Sequence, residues 1–410
     1  SIQSIQSIHS KTRPHGTPMT SAETIQIEHA LEIPTYSKFP MALERGEGSY
    51  VWDAEGTRYL DFYGGHCVAL LGHCPPRVVK AVQAQAETLL FYSNVAHNST
   101  RAQAAQTLVD LAPDGLGQVF FANSGSEANE TALKLARTYT GRSKVVALEG
   151  AFHGRTLGAL ATTHKETYRA PYLDVLPETR FVPWGDHDAL EEALAPGDVA
   201  AVILEPIQSI AGMRMLPPVC APGLRELCDA HDTLLIFDEV QTGVGRTGTF
   251  SISEHYGITP DLITLAKSLG AGVPVSAVLV SDAVAATVES GDQGSTFGGG
   301  MLAMAAVAAC LDTLVEENLM ARATAIHQQI EAQVGPHVES VRGKGCLLGL
   351  ELDRPVKPVL NALRNRGVLA GSSADPHVMR LMPPLTSTDD DVALFANTLA
   401  DVLDAAPVEA

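Results

Sequence analysis

Short apolar runs recur at residues 119–121, 145–148, 199–204, 234–237, 262–265 and 275–280, each of strand length. Between many of them lie stretches with helical periodicity, among them 76–90, 127–139 and 222–231. Strands that alternate with helices predict a mostly parallel sheet covered on both faces, an α/β fold. The same pattern constrains function, because ligands of a parallel sheet bind beyond the carboxyl ends of its strands. Ahead of this region, residues 50–61 read as two short strands around the turn Asp53-Ala54-Glu55-Gly56. From Met301 onward the pattern changes to one long helix, strand-like pieces at 340–352 and 378–384, and a closing helix at 389–403. This is a second, smaller α+β unit. Pro and Gly are scattered through the loops and form no linker, so the two units are expected to pack firmly together.

Composition narrows the function class. A net charge of −19, with no cluster of Lys and Arg, argues against a nucleic-acid surface. The apolar stretches 199–204 and 301–311 are too short, or too rich in small residues, to read as membrane spans. Six cysteines without a C-x-x-C pair fit reduced thiols in a cytoplasmic protein and predict neither a disulfide framework nor a metal site. No G-x-x-x-x-G-K-[ST] stretch is present, which sets a P-loop nucleotide site aside. The repeat Ser1-Ile2-Gln3-Ser4-Ile5-Gln6 opens a segment, residues 1–18, that reads as a disordered leader or tag with Met19 as the native start. A short transit peptide is the other reading.

The distinctive polar residues follow the apolar runs. Lys267 comes after Ile263-Thr264-Leu265-Ala266 and precedes Ser268-Leu269-Gly270. Alone it reads as an ordinary solvated lysine; paired with Asp238, which ends Leu234-Leu235-Ile236-Phe237, it is an amine that can capture an aldehyde. Asp238 could hold a pyridine nitrogen protonated or simply cap a turn, and Gln241 could reach a ring hydroxyl. Asn123-Ser124-Gly125-Ser126-Glu127 serves equally as a helix N-cap or as an anion site at a helix N-terminus. In Phe152-His153-Gly154-Arg155-Thr156, the aromatic can stack on a planar ring or pack in the core, and Arg155 can bind a carboxylate or face solvent. Gly294-Ser295-Thr296-Phe297-Gly298 is a turn or a further phosphate ligand.

In this order the motifs resemble the class III, ornithine-type aminotransferases of pyridoxal phosphate (PLP) fold type I. The resemblance also draws on Asp61-Phe62-Tyr63-Gly64-Gly65, Glu205-Pro206-Ile207-Gln208, Gly243-x-Gly245-Arg246-Thr247-Gly248 and Met379-Arg380-Leu381-Met382-Pro383, and covers about residues 30 to 405. It implies a large domain, residues 61–300, with a mostly parallel seven-stranded sheet between helices. A smaller α+β domain would be built from residues 19–60 and 301–410. PLP would be the cofactor and no metal would be needed. Lys267 would anchor the cofactor covalently and later carry a proton, and Asp238 would pair with the pyridine nitrogen. Gln241 would contact the phenolic oxygen, Phe152 would stack on the ring, and Glu205 would lie near it. Gly125 and Ser126 would hold the phosphate, joined by Thr296 and Ser295 from the partner subunit of a homodimer. Arg155 would bind a substrate carboxylate, and Arg380 the α-carboxylate of 2-oxoglutarate or glutamate.

Within the class the motifs look most like the acetylornithine group, which implies transfer of the terminal amino group of N-acetylornithine to 2-oxoglutarate. A transaminase of broader amine, ornithine, 4-aminobutyrate or lysine-derivative specificity, or a same-fold aminomutase, stays open; a requirement for a keto-acid co-substrate separates the mutase. Two departures bear on substrate. The family usually continues Glu-Pro-x-Gln with Gly-Glu, and that glutamate masks the arginine equivalent to Arg380; here Ser209 and Ile210 stand instead. His66 stands where ornithine enzymes carry a tyrosine, so it is expected at the substrate mouth or satisfied by backbone groups.

Overall fold

The computed structural model describes residues 19–405; the leader expected over residues 1–18 lies outside the described residues. At the centre is a seven-stranded sheet whose strands are numbered here in chain order. They are β1 (Gln118–Ala122), β2 (Lys144–Leu148), β3 (Thr179–Val182), β4 (Val199–Leu204), β5 (Leu234–Asp238), β6 (Leu262–Leu265) and β7 (Ser276–Val280). Their spatial order is β1-β7-β6-β5-β4-β2-β3. All neighbours run parallel except β7, which is antiparallel to both β6 and β1.

Burial explains which strands the sequence reveals. Every residue of β4 and β5 is buried, so both read as unbroken apolar runs. The edge strand β3 buries only Val182, and its Thr179-Arg180-Phe181 start shows no such run. One face of the sheet packs against helix α1 (Gly125–Thr140), whose Ala128, Ala132, Leu133 and Ala136 meet Val145, Ile203, Ile236 and Val278. The small alanines let α1 lie close to the sheet. The opposite face belongs to a larger core that runs on through Phe62, Leu311 and Phe395.

The C-terminal part differs from expectation at one point. In place of one long helix there are two, Met301–Glu316 and Leu319–Val334. Asn318 breaks them by adopting a left-handed backbone, φ 52°, a conformation asparagine accepts more readily than most residues. Beyond them come a hairpin, Ser340–Lys344 with Leu347–Glu351, then Val378–Leu381 and a closing helix, Asp389–Ala405. Val368–Leu369 leaves this region to lie parallel against Arg58–Asp61, so early and late segments of the chain share a sheet. Among the described residues no helix is long and apolar enough to cross a membrane.

Candidate active site

The carboxyl ends of β1, β2, β4, β5 and β6 open on one cavity of about 380 Å³, within the usual range for small-ligand sites. Gly125, Ser126, Phe152, Glu205, Asp238, Gln241 and Lys267 all line it. The loop ahead of β7, with Gly272 and Pro274, closes one side.

Asp238 is the last residue of β5 and only 4% exposed. A carboxylate there needs donors. His153 donates through Nδ1 at 2.7 Å and Asn129 through Nδ2 at 2.8 Å, both to Oδ2, and the Val240 N–H reaches Oδ1 at 3.1 Å. Asn129 is itself fixed: its amide also reaches the His153 carbonyl at 2.7 Å, and its Oδ1 accepts the Thr264 hydroxyl at 2.8 Å. Among the described residues no Lys or Arg forms an ion pair with Asp238, so its negative charge is held in place and left for a cationic group in the cavity. Sequence reasoning assigned no role to Asn129 or His153. The signal for Asn129 was a polar residue inside the apolar face of α1, buried to 1% exposure beside Ala128 and Ala132.

Lys267 follows β6 with a left-handed φ of 33°, a strained conformation for a long side chain. Among the described residues its amine makes no hydrogen bond or ion pair. Burial lowers the amine below the ordinary lysine value, although Cys67, Asp238 and Glu205 pull the other way. The lowered value increases the uncharged, nucleophilic fraction. Across the cavity Glu205 accepts the Phe152 N–H at 2.8 Å, and burial, with Asp238 nearby, holds its carboxyl well above the usual range. Gln241 Oε1 and His153 Nε2 are buried and find no partner among the described residues.

The rim of the cavity is a helix N-terminus. Ser124 caps α1, its Oγ accepting the Glu127 N–H at 3.2 Å, while Gly125 and Ser126 line the cavity, so the cap and the anion-site readings describe one turn. Gly125 is tightly packed: a Cβ would come within 3.0–3.1 Å of the Val240 methyls, which would have to shift to admit it.

The remaining candidates lie outside this wall. Arg155 is exposed and its guanidinium sits 3.9 Å over the Tyr168 ring. Ser295 Oγ accepts from the Asn123 amide at 3.1 Å, and Thr296 is exposed. Arg380 is buried, donating through Nε to the Ser372 carbonyl at 2.5 Å and through Nη1 to Ser209 Oγ at 3.2 Å. Among the described residues no carboxylate forms an ion pair with it. Ser209, one residue before the Ile210 singled out from sequence, is therefore a side chain that touches the arginine, and the Tyr63 ring lies 5.9 Å from its guanidinium. His66 is half-buried, with Nδ1 hydrogen-bonded to the Tyr63 hydroxyl. Among the described residues no three His, Cys, Asp or Glu side chains cluster to hold a metal.

This arrangement offers an enclosed amine, a fixed carboxylate and a helix N-terminus on one cavity. It coincides with a family match: residues 33–403 match the class-III aminotransferase model. The chain is 49% identical to the acetylornithine aminotransferase of Methanopyrus kandleri over 391 residues, 94% of this chain and 99% of that protein. Among solved structures, the acetylornithine aminotransferase of Elizabethkingia anophelis superposes with a TM-score of 0.82 at 33% identity, covering 94% of this chain and 99% of the other. The ornithine aminotransferase of Toxoplasma gondii, with PLP at partial occupancy, gives 0.89 at 30% identity, covering 98% and 97%. The seven-stranded, mostly parallel sheet is that of PLP fold type I, and the chain belongs to the class-III aminotransferases.

Proposed function

We propose that this chain is a PLP-dependent transaminase that moves the terminal amino group of N-acetylornithine to 2-oxoglutarate, giving glutamate. The observation that carries the reading is the juxtaposition in one cavity of an enclosed Lys267 amine and a buried Asp238 carboxylate, the amine without a hydrogen bond and the carboxylate without a Lys or Arg partner among the described residues. The preference for the acetylated donor is supported by the names of the relatives, several of them acetylornithine aminotransferases at 36–49% identity.

The residues present fit the cofactor. The orphaned Gln241 Oε1 calls for a donor such as a ring hydroxyl, and the α1 N-terminus at Gly125 and Ser126 suits a phosphate. When bound, PLP supplies an aldehyde that captures amines and a protonated ring that takes up negative charge from the substrate carbon. Asp238 would hold the ring nitrogen's proton, with Asn129 and His153 fixing the carboxylate in position. Lys267 Nζ would anchor the cofactor and, once released, move the proton at the amine-bearing carbon of the donor. Glu205, held toward its neutral form, would not compete for that proton. Arg380 would bind a substrate carboxylate with little competition from the protein.

The active unit in this reading is a cytoplasmic homodimer. Thr296 and Phe297 are exposed in the loop that would complete the partner's phosphate site, and Tyr92 and Val95 expose further apolar surface. The pairing of Val368–Leu369 with Arg58–Asp61 supports a small domain built from residues 19–60 and 301 onward around a large domain of 61–300. The test is glutamate formation from 2-oxoglutarate across a panel of terminal amines. N-acetylornithine is expected to lead. Absence of glutamate with every donor, in protein supplied with PLP, would refute the proposal.

A further inference from the structure

We infer that Ser268 is a positioning residue for Lys267: tied on one side to Cys67 and on the other to Cys310, it holds the lysine in its left-handed conformation and so decides where the amine stands. This deepens the transaminase reading above and rests on it. The inference starts from the backbone. One short helical turn, Lys267–Gly270, opens on Lys267 at φ 33° and is closed by Ala271 at φ 47°. Neither residue is glycine, so both conformations cost free energy and persist only where the surroundings impose them.

What imposes them is buried behind the turn. Ser268 is 1% exposed, and its hydroxyl donates to the Cys67 carbonyl at 3.3 Å. Its own carbonyl accepts the Cys310 thiol at 3.5 Å and the Ala271 N–H at 3.2 Å. The Leu269 N–H reaches back to the Ala266 carbonyl at 2.8 Å. Cys310 belongs to the helix Met301–Glu316, which packs against this turn. Burial pushes the Cys310 thiol up to about 12, so it keeps the proton it donates.

The Cys67 anchor is fixed in its turn. Asp61 accepts the N–H groups of Tyr63, Gly64 and Gly65 at 3.0, 2.9 and 3.0 Å, and His73 Nε2 braces the same carboxylate at 2.8 Å. The Cys67 thiol meets the Gln241 carbonyl at 3.7 Å. Gln241 and Lys267 both line the cavity, so Cys67 and Ser268 register one wall of the site against another. Among the described residues the Lys267 amine has no hydrogen bond to aim it. The backbone therefore aims it into the space shared with Asp238 and Glu205. Relaxing φ at Lys267 would redirect its Cα–Cβ bond, and the long side chain would carry that error to Nζ.

The test uses the full-length protein freed of cofactor and then reloaded with excess PLP. Ser268→Ala removes the hydroxyl tie, and Cys310→Ala removes the thiol tie from the opposite side. In the cofactor-free protein, the rate at which added PLP joins Lys267, read as growth of visible absorbance, is expected to fall about tenfold in Ser268→Ala and by less in Cys310→Ala. In the reloaded protein kcat should fall by a similar factor, about tenfold, while KM for N-acetylornithine holds, because no group that binds the donor has moved. A lower denaturation midpoint with wild-type capture rate and kcat in both variants overturns the inference, since Ser268 would then only support the fold. A loss that falls on KM and spares the capture rate overturns it as well. Slower capture in the variants, in a protein whose wild type forms no glutamate from any donor, upholds this inference and overturns the transaminase reading.

Discussion

Asp238 and Lys267 are costly residues to enclose, and among the described residues neither is fully answered: no Lys or Arg pairs with the carboxylate, and the amine makes no hydrogen bond. Each therefore needs its own variant. Lys267→Ala should abolish both turnover and the visible absorbance of covalently held cofactor. Asp238→Asn keeps the shape and removes the charge, and is expected to slow the first half-reaction about a hundredfold or more. A stopped-flow measurement with excess donor would check it, and a near-normal rate in either variant would contradict the roles given. Asn129 and His153 extend the same logic, since they hold an anion that would otherwise be expelled from the core.

At the level of elements, the strand-to-helix turn at Gly125 and the loop after β2 meet at Gly154. A Cβ there would lie 2.3 Å from Ser126 Oγ and 2.9 Å from the Ala159 Cβ, on a backbone at φ 140°. Gly154→Ala should therefore loosen cofactor retention, read as release of PLP on dialysis against buffer; retention equal to wild type would count against this. Ser124→Ala removes the α1 cap and should cost about 1 kcal/mol in a denaturant titration. Much of this geometry was legible in sequence. Buried parallel strands announce themselves as apolar runs, and the polar residues that follow them mark the ligand edge. The edge strand β3 was invisible because solvent permits Thr179 and Arg180 in it. The break at Asn318 escaped notice because helical periodicity continues on both sides. The Asn129–His153–Asp238 network depends on contacts between distant segments, and spacing in the chain does not encode it. The contact of Ser209 with Arg380 is hidden for the same reason, since the family pattern marks only the neighbouring Ile210.

For the molecule as a whole, pH and assembly give the sharpest readouts. Glu239 is buried beside Asp238, accepting from Ser251, from Thr242 at 3.2 Å and from the Ile252 N–H at 3.0 Å, and burial pushes its carboxyl from 4.5 up to about 7. An acid whose folded pKa is raised binds more protons folded than unfolded between those values. Stability thus falls as pH climbs from 4.5 through 7, by on the order of 3 kcal/mol from this group. Glu239→Gln should flatten that slope in denaturant titrations at pH 5 and 8, and an unaltered slope would contradict the assignment. For the proposed homodimer, mixing inactive Lys267→Ala with weakened Thr296→Ala protein under subunit exchange should restore activity, because each hybrid would contain one intact site. No gain on mixing, with exchange verified by mass, would argue that each chain supplies its own Thr296.

The strand pair that joins Leu60 to Val368 also sets a timetable. Asp61, which clamps the turn carrying His66, sits on a strand whose neighbour leaves the ribosome about 300 residues later, a separation that makes closure slow. A nascent chain stopped short of residue 368 could build the central sheet yet would lack both that neighbour and Arg380. The turn at Gly64 and Gly65 would thus be among the last parts of the fold to be fixed during synthesis, after the central sheet has taken shape.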